Sequence, residues 1–262
     1  MRSYGQFCPV AKAAELFCER WTALILRDLA AGATHFAQLR RGVPLASPTL
    51  LSRRLKELER EGILERRRSG SKRASTYHLT AAGREFQPLI QALGVWGQRW
   101  SRRELAKHEI NLALLMWSLE EQVKPEAFGS RRCVVKLILT DQAPKTQEWW
   151  FVNDEGRSVL CLEDPGFDVD LYVLTTLPDM IYIYRGDLPL AQAIRRERLK
   201  AHGLGWARRA LPAWLPTSPF AQVKSQRTQT RVATTKQQHA QSQLGAVQPC
   251  VAADRREKRG NR

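Results

Sequence analysis

Residues 34–80 read THFAQLRRGVPLASPTLLSRRLKELEREGILERRRSGSKRASTYHLT, and the order of elements in that stretch decides the fold of the N-terminal part. THFAQLRR has the length of a short helix, GVPLA that of a tight turn and SPTLLSRRLKELEREG that of a second helix. A basic hairpin, ILERRRSGSKRASTYHLT, follows. This is the layout of a winged helix-turn-helix, a module that lays its second helix in the major groove of DNA. With residues spaced about 100° apart, Leu55 and Leu58 fall within about 40° of Leu51 and form a narrow apolar stripe. Thr49, Arg53, Lys56 and Arg60 fall on the opposite side, with Ser52 at its edge. Ser47 suits the N-cap, and Pro48 suits the first helical position because its missing N–H would be unpaired there anyway. Gly62 ends the helix.

Most cationic helix faces are simply solvated. Here a turn of the right length precedes the helix and a basic hairpin follows it, which favours DNA reading. The first turn of such a helix comes closest to base edges, and cations farther along reach phosphates. Thr49, Ser52 and Arg53 are therefore the candidate base contacts and Lys56 and Arg60 the phosphate contacts, with Ser47 and Pro48 completing the DNA-binding surface at the helix start. Strand alternation prevents Arg66, Arg67 and Arg68 from sharing one surface, so Lys72 and Arg73 at the hairpin tip are expected to meet the flanking groove.

Charge is distributed in agreement with this reading. The 262-residue chain carries 42 Lys+Arg and 26 Asp+Glu, a net charge of +16. Residues 1–100 carry +9, residues 101–220 carry zero and residues 221–262 carry +7. One part that neutralises phosphate and another with a different task produce such an asymmetry; a uniformly basic ribosomal component does not. The five cysteines and five histidines show no metal-ligand spacing and no disulfide framework, so no metal is expected and a reducing, cytoplasmic location is. No apolar run reaches membrane-spanning length, and no membrane partner is expected.

Residues 9–17 and 20–31 read as two further helices, with Trp21, Leu24, Ile25 and Leu29 at core spacing in the second. Residues 80–100 read as a long helix after the wing. Its face of Phe86, Leu89, Ile90, Leu93, Trp96 and Trp100 is larger than one small domain covers, and a homodimer built on that face is expected.

Several signatures within residues 5–100 resemble those of the HxlR-type winged-helix regulators, relatives of the MarR group. They are Cys8-Pro9, Trp21-Thr22, HFAQL, the helix S-x-x-x-L-S-R-R-L-x-x-L-E-x-x-G from Ser47, Tyr77-x-Leu79-Thr80 and Leu93-x-x-Trp96. The departure is Phe17-Cys18-Glu19-Arg20, where the family carries a Gly-Lys lead-in. The resemblance implies a homodimer on palindromic operator DNA, usually a repressor. In some members a cysteine near the N-terminus senses oxidants or quinones, and Cys8 stands at the matching position. Lys12, one turn on, is the nearby cation that would favour its thiolate; the alternative is a small apolar filler at the dimer seam.

Beyond residue 100 the pattern changes. Residues 103–122 read as a helix, and CVVKLILT, EWWFV, SVLCL and VDLYVLT as strands separated by turns. After Pro178 the pattern returns to helix in DMIYIYRG, LPLAQAIRRERLKAHG and WARRALPAWL. The expected architecture is mainly α with an α+β part. It comprises a winged helix-turn-helix for DNA binding and dimerisation (1–100), an α+β region with an antiparallel sheet (101–220) and a disordered basic tail (221–262). The second region more weakly resembles the sterol-carrier-protein-2-like fold, which implies an apolar effector held by Trp149, Phe151, Leu160, Tyr172, Leu174, Ile181 and Tyr184. A plain packed core would use the same residues.

No phosphate-binding loop, dinucleotide fingerprint, HExxH or GxSxG occurs, so neither catalysis nor a cofactor is expected. Two alternatives stay open: a redox-sensing regulator acting through Cys8, and a lipid-binding protein with only non-specific nucleic-acid affinity.

Overall fold

The computed structural model describes residues 3–68, 75–101 and 104–226. The N-terminal unit comprises α1 (Pro9–Phe17), α2 (Thr22–Ala30), α3 (Phe36–Gly42), α4 (Pro48–Arg60), the hairpin β1 (Leu64–Arg68) and β2 (Ser75–Leu79), and α5 (Ala81–Trp96). Leu39 of α3, Leu51, Leu55 and Leu58 of α4, and Leu64 of β1 close on Ile25 and Leu26 of α2 in one apolar core. Leu24 is exposed rather than buried, because the single inward face of the nine-residue α2 is taken by Ile25, Leu26 and Leu29. The helix also starts later than expected, since Trp21 sits in the left-handed region (φ 78°). The wing is antiparallel, from Leu64 opposite Leu79 to Arg68 opposite Ser75. It is tied to the entrance of α3 by the Tyr77 amide, which donates to the Thr34 carbonyl (2.8 Å).

Thr80 caps α5 by accepting from the Gly83 amide (3.2 Å). The helix ends at Trp96 and passes into a wider turn, Gly97–Ser101. The next helix, α6 (Leu112–Gln122), is shorter than the expected 103–122: Asn111 accepts from the Leu114 amide (2.9 Å) and sets its start.

The second region holds a five-stranded sheet of order β5-β4-β3-β6-β7, formed by β3 (Cys133–Leu139), β4 (Glu148–Asp154), β5 (Arg157–Cys161), β6 (Leu171–Thr175) and β7 (Leu199–Gly203). A helical turn, α7 (Pro144–Gln147), precedes β4, and α8 (Leu177–Tyr184), α9 (Leu190–Arg195) and α10 (Gly205–Trp214) follow β6 in chain order, with β7 between the last two. The sheet is mixed rather than wholly antiparallel. Residues 162–170 return the chain to the end where β3 began, so β6 runs parallel to β3 while the other three pairings are antiparallel. LKAHG is an edge strand and not the end of a helix: Leu199 pairs with Thr175 and Ala201 with Val173.

Val135, Leu137, Phe151, Leu171 and Val173 form the inner sheet face and pack under α6, α8 and α10. Asn153 closes the base of this core, donating to the Cys133 carbonyl (2.9 Å) and accepting from the Trp214 indole (2.8 Å). The two units meet where α3 contacts α6, and Arg41 pairs with Glu120 across that seam (3.0 Å). After α10 the chain returns to the first unit. Ser218 donates to the Tyr184 carbonyl, Phe220 packs against Gly94 so closely that a Cβ there would overlap its ring, and the Gln226 amide reaches the Arg99 carbonyl (2.9 Å).

Candidate nucleic-acid interface

The local sequence of α4 builds its surface. Ser47 accepts from the Leu50 amide (3.2 Å) and Pro48 occupies the first turn. Leu51, Leu55 and Leu58, each 1% exposed, fix the rotation of the helix on the core. That rotation turns Thr49, Ser52, Arg53, Lys56 and Arg60 outward, all exposed. Arg53 is only loosely held by Glu57 at 3.9 Å, and Arg60 is paired with its neighbour Glu61 at 3.0 Å. Both can exchange these exposed partners for phosphate or base acceptors at little cost.

The neighbouring Arg54 does the opposite. It points into the core, bonded to Glu19 and to Glu57 (2.6 Å), and donates to the Arg20 carbonyl (3.3 Å). Sequence reasoning passed over it. The available signal was its place three residues after Leu51, on the buried flank, with Glu57 a further turn on.

On the wing, Arg66, Arg67 and Arg68 are exposed, and Arg67 is bonded to Glu65. Lys72 and Arg73 lie outside the described residues, as does the tail from residue 227. On α5 the structure divides the expected dimer face. Leu89, Leu93, Trp96 and Trp100 are exposed at 55%, 48%, 57% and 41%, enough to leave an apolar stripe in solvent. Phe86 instead stacks on Phe17 (5.6 Å between ring centres), and Ile90 turns inward.

Cys8 is half-buried at the N-cap position of α1. The Lys12 ammonium lies 3.3 Å from the Glu15 carboxylate. That carboxylate is held below its ordinary pKa by the Tyr4 amide, then by Ser3 and Lys12. Cys133 is of a different kind: burial, and then the charge of Asp170, push its thiol up to about 12.

The seven residues expected to line an apolar pocket are not brought together. Trp149, Phe151 and Leu160 pack in the inner-face core, Phe151 edge-on to Trp214. Tyr172 and Leu174 sit on the outer face of β6, because alternation separates them from the buried Leu171 and Val173. Ile181 and Tyr184 alone of the seven border open space, a cavity of about 730 Å³ between the two units. Asp28 also borders it, with burial raising its carboxyl above the ordinary value against the opposing pull of Arg27. A lone Asp inside TALILRDLA was a legible sign of a special site. Among the described residues, no cluster of three or more His, Cys, Asp or Glu could hold a metal, and no helix is long and apolar enough to cross a membrane.

Comparison with known proteins places this geometry. Residues 16–105 match the HxlR-like helix-turn-helix family. An uncharacterised HTH-type transcriptional regulator of Synechocystis sp. is 35% identical over 101 residues, covering 38% of this chain and 75% of its own length. The uncharacterised regulator YvaP of Bacillus subtilis is 33% identical over 98 residues, or 37% of this chain and 91% of YvaP. The crystal structure of diamide-treated YodB from B. subtilis aligns with a TM-score of 0.31 at 32% identity, over 35% of this chain and 93% of that one. The match ends just before α6, so the sheet-bearing region lies outside it. With the capped α4, its outward cationic side and a paired wing inside the matched stretch, the chain belongs to the HxlR-like helix-turn-helix family of DNA-binding transcriptional regulators.

Proposed function

We propose that this regulator is a homodimeric repressor whose two α4 helices enter successive major grooves of a palindromic operator, and whose C-terminal region answers to an apolar small molecule. The observation that carries the DNA-binding part is the division of α4: leucines 1% exposed on one side, Arg53 and Arg60 with most of their side chains in solvent on the other. Ser47, Pro48, Thr49, Ser52 and Arg53 stand at the base-proximal end, and Lys56 and Arg60 farther along face phosphates. Lys72 and Arg73, outside the described residues, are assigned to the flanking groove on their charge and their place between β1 and β2 in the sequence. Leu89, Leu93 and Trp96 of α5 supply the contact between protomers, joined by Trp100. A dimer spanning two half-sites about one helical turn (about 10 bp) apart covers the DNA between them, which is how it represses.

Selection of bound sequences from a random DNA pool supplies the operator, and footprinting tests the reading. Sharp two-fold protection is expected from the full chain. Reversing both charges, Arg53→Glu with Lys56→Glu, abolishes protection while circular dichroism stays native. Protection that survives the double change overturns the assignment of α4. Diffuse, salt-labile binding by the wild type instead favours a lipid-binding protein with general affinity for nucleic acid.

A second reading concerns Cys8. It stands half-buried at the N-cap of α1, where the resemblance places the sensing cysteine. Diamide, itself reduced to the hydrazine, then joins Cys8 to a second thiol as a disulfide and releases the operator, and Cys8→Ser removes that response. An unchanged response in the Ser variant excludes Cys8 as the sensor.

A further inference from the structure

The interdomain cavity is bounded on one side by α2 and α5 of the helix-turn-helix unit, and on the other by α6, α8 and the returning segment after α10. Its volume, about 730 Å³, lies in the range of small-molecule sites, and boundaries between domains are where such sites concentrate. The walls are largely apolar, with Ile90, Tyr184 and Phe220 among them. Two polar atoms of wall residues are buried without a hydrogen-bond partner: the Trp117 indole N–H, a donor, and one Asp28 carboxylate oxygen, an acceptor. Both atoms are covered by protein, and the Asp28 oxygen is the one turned toward Gly42 of α3. The charged groups of the cavity wall have partners within the protein. Arg27 holds Asp28 at 2.8 Å, Arg185 holds Asp187 behind the wall at 3.1 Å, and Glu109 accepts from the Ala106 amide (2.9 Å). A charged ligand would have to break one of these pairs inside an apolar enclosure, whereas an uncharged one need not.

Both walls also grip the same element of the DNA-binding unit. On the α2 side, the Arg27 guanidinium donates to the Gly42 carbonyl at the end of α3 (3.2 Å). Asp28 lies so close to Gly42 that any Cβ there would overlap its carboxylate. Five residues later Ser47 begins α4. On the α6 side, Trp117 and Ser118 face the cavity while Glu120 of the same helix holds Arg41 of α3 (3.0 Å). A ligand that spreads the walls therefore pulls on α3 and on the turn that orients α4.

We infer that this cavity is the effector site, that it takes an uncharged, mostly apolar molecule, and that occupancy weakens operator binding through the Arg27–Gly42 and Glu120–Arg41 contacts. The coupling rests on the DNA-binding reading above; the site itself does not.

The test uses the full chain and N-phenyl-1-naphthylamine, an uncharged fluorescent probe with one N–H. Saturable binding at one probe per chain is expected. Leu114→Trp and Val95→Trp, which fill the cavity from opposite walls, should each weaken it roughly tenfold or more. Operator affinity should fall roughly tenfold at saturating probe, and Glu120→Gln should shrink that response. No saturable binding, or binding that neither cavity variant alters, overturns the site. Binding at the cavity with unchanged operator affinity overturns the coupling. A wild-type chain that binds no DNA without the probe removes the DNA-binding reading while leaving the probe titration to judge the cavity.

Discussion

Adjacent arginines in α4 have opposite tasks, and the difference is measurable. Arg54 is 7% exposed and serves the two carboxylates of Glu19 and Glu57, while Arg53 extends into solvent. Arg54→Ala strips both acids of their cation and leaves a gap beside Leu55. The expected loss is about 2–3 kcal/mol in urea denaturation, below the cost for a fully buried pair because both acids keep some solvent. Arg53→Ala should change stability by less than about 0.5 kcal/mol yet weaken operator binding. Equal stability losses in the two variants would contradict this division. Asp28 gives a pH signature. Its folded pKa lies above the unfolded value because burial penalises the charged form. Its contribution is thus fully present below the unfolded pKa and fades as pH rises through the folded one. Asp28→Asn cannot ionise, so the variant should gain on the wild type as pH rises above about 4, the ordinary carboxylate value. A stability difference that does not change with pH above that value would show that Asp28 titrates normally.

Elements were legible wherever the signal is local. The cap at Ser47, the leucine stripe of α4, the wing strands and the cap of α5 at Thr80 all follow from residues within one or two turns of each other. What escaped depends on distant partners. LKAHG follows a helical run without punctuation, and only pairing with β6 makes it a strand. Arg54 takes an acid from 35 residues earlier, and the parallel pairing of β3 with β6 is set by the route of the connecting loop. The expected pocket failed for the same reason: period-2 alternation sends Tyr172 and Leu174 away from Trp149 and Phe151, while the open volume arises between units that no local pattern relates. The apolar side of α5 was read correctly in composition but serves two ends, since Phe86 and Ile90 pack inward and Leu89, Leu93 and Trp96 remain outside. A stripe of that kind is stable in water only if something covers it. If α5 joins two protomers as proposed, Leu93→Glu should give a monomer in sedimentation equilibrium and lower operator affinity roughly a hundredfold, because the second half-site no longer binds from an effectively local concentration. A variant that remains dimeric would place the protomer contact elsewhere.

Across the whole chain, charge and task are segregated. The first 100 residues carry +9, the sheet-bearing region is neutral and the last 42 residues carry +7. The neutral region packs behind α3 through Arg41 and Glu120, so it does not add cations to the α4 surface. On the proposed reading phosphate is met by two parts of the chain, the outward side of α4 and the basic C-terminal stretch, and salt separates them. Each phosphate contact contributes about −0.9 to the slope of log affinity against log salt on duplex DNA. The proposed α4 contacts belong to operator binding and hold one register. Contacts from a stretch so poor in large apolar side chains follow charge alone and do not distinguish sequences. Truncation after Gln226 should therefore flatten the salt slope and weaken binding to random DNA. It should lower operator affinity by no more than the same factor, so that discrimination between operator and random DNA is kept or improved. Parallel titrations of both DNAs at several salt concentrations give all four slopes. An unchanged slope on random DNA would assign the whole phosphate contact to the winged unit.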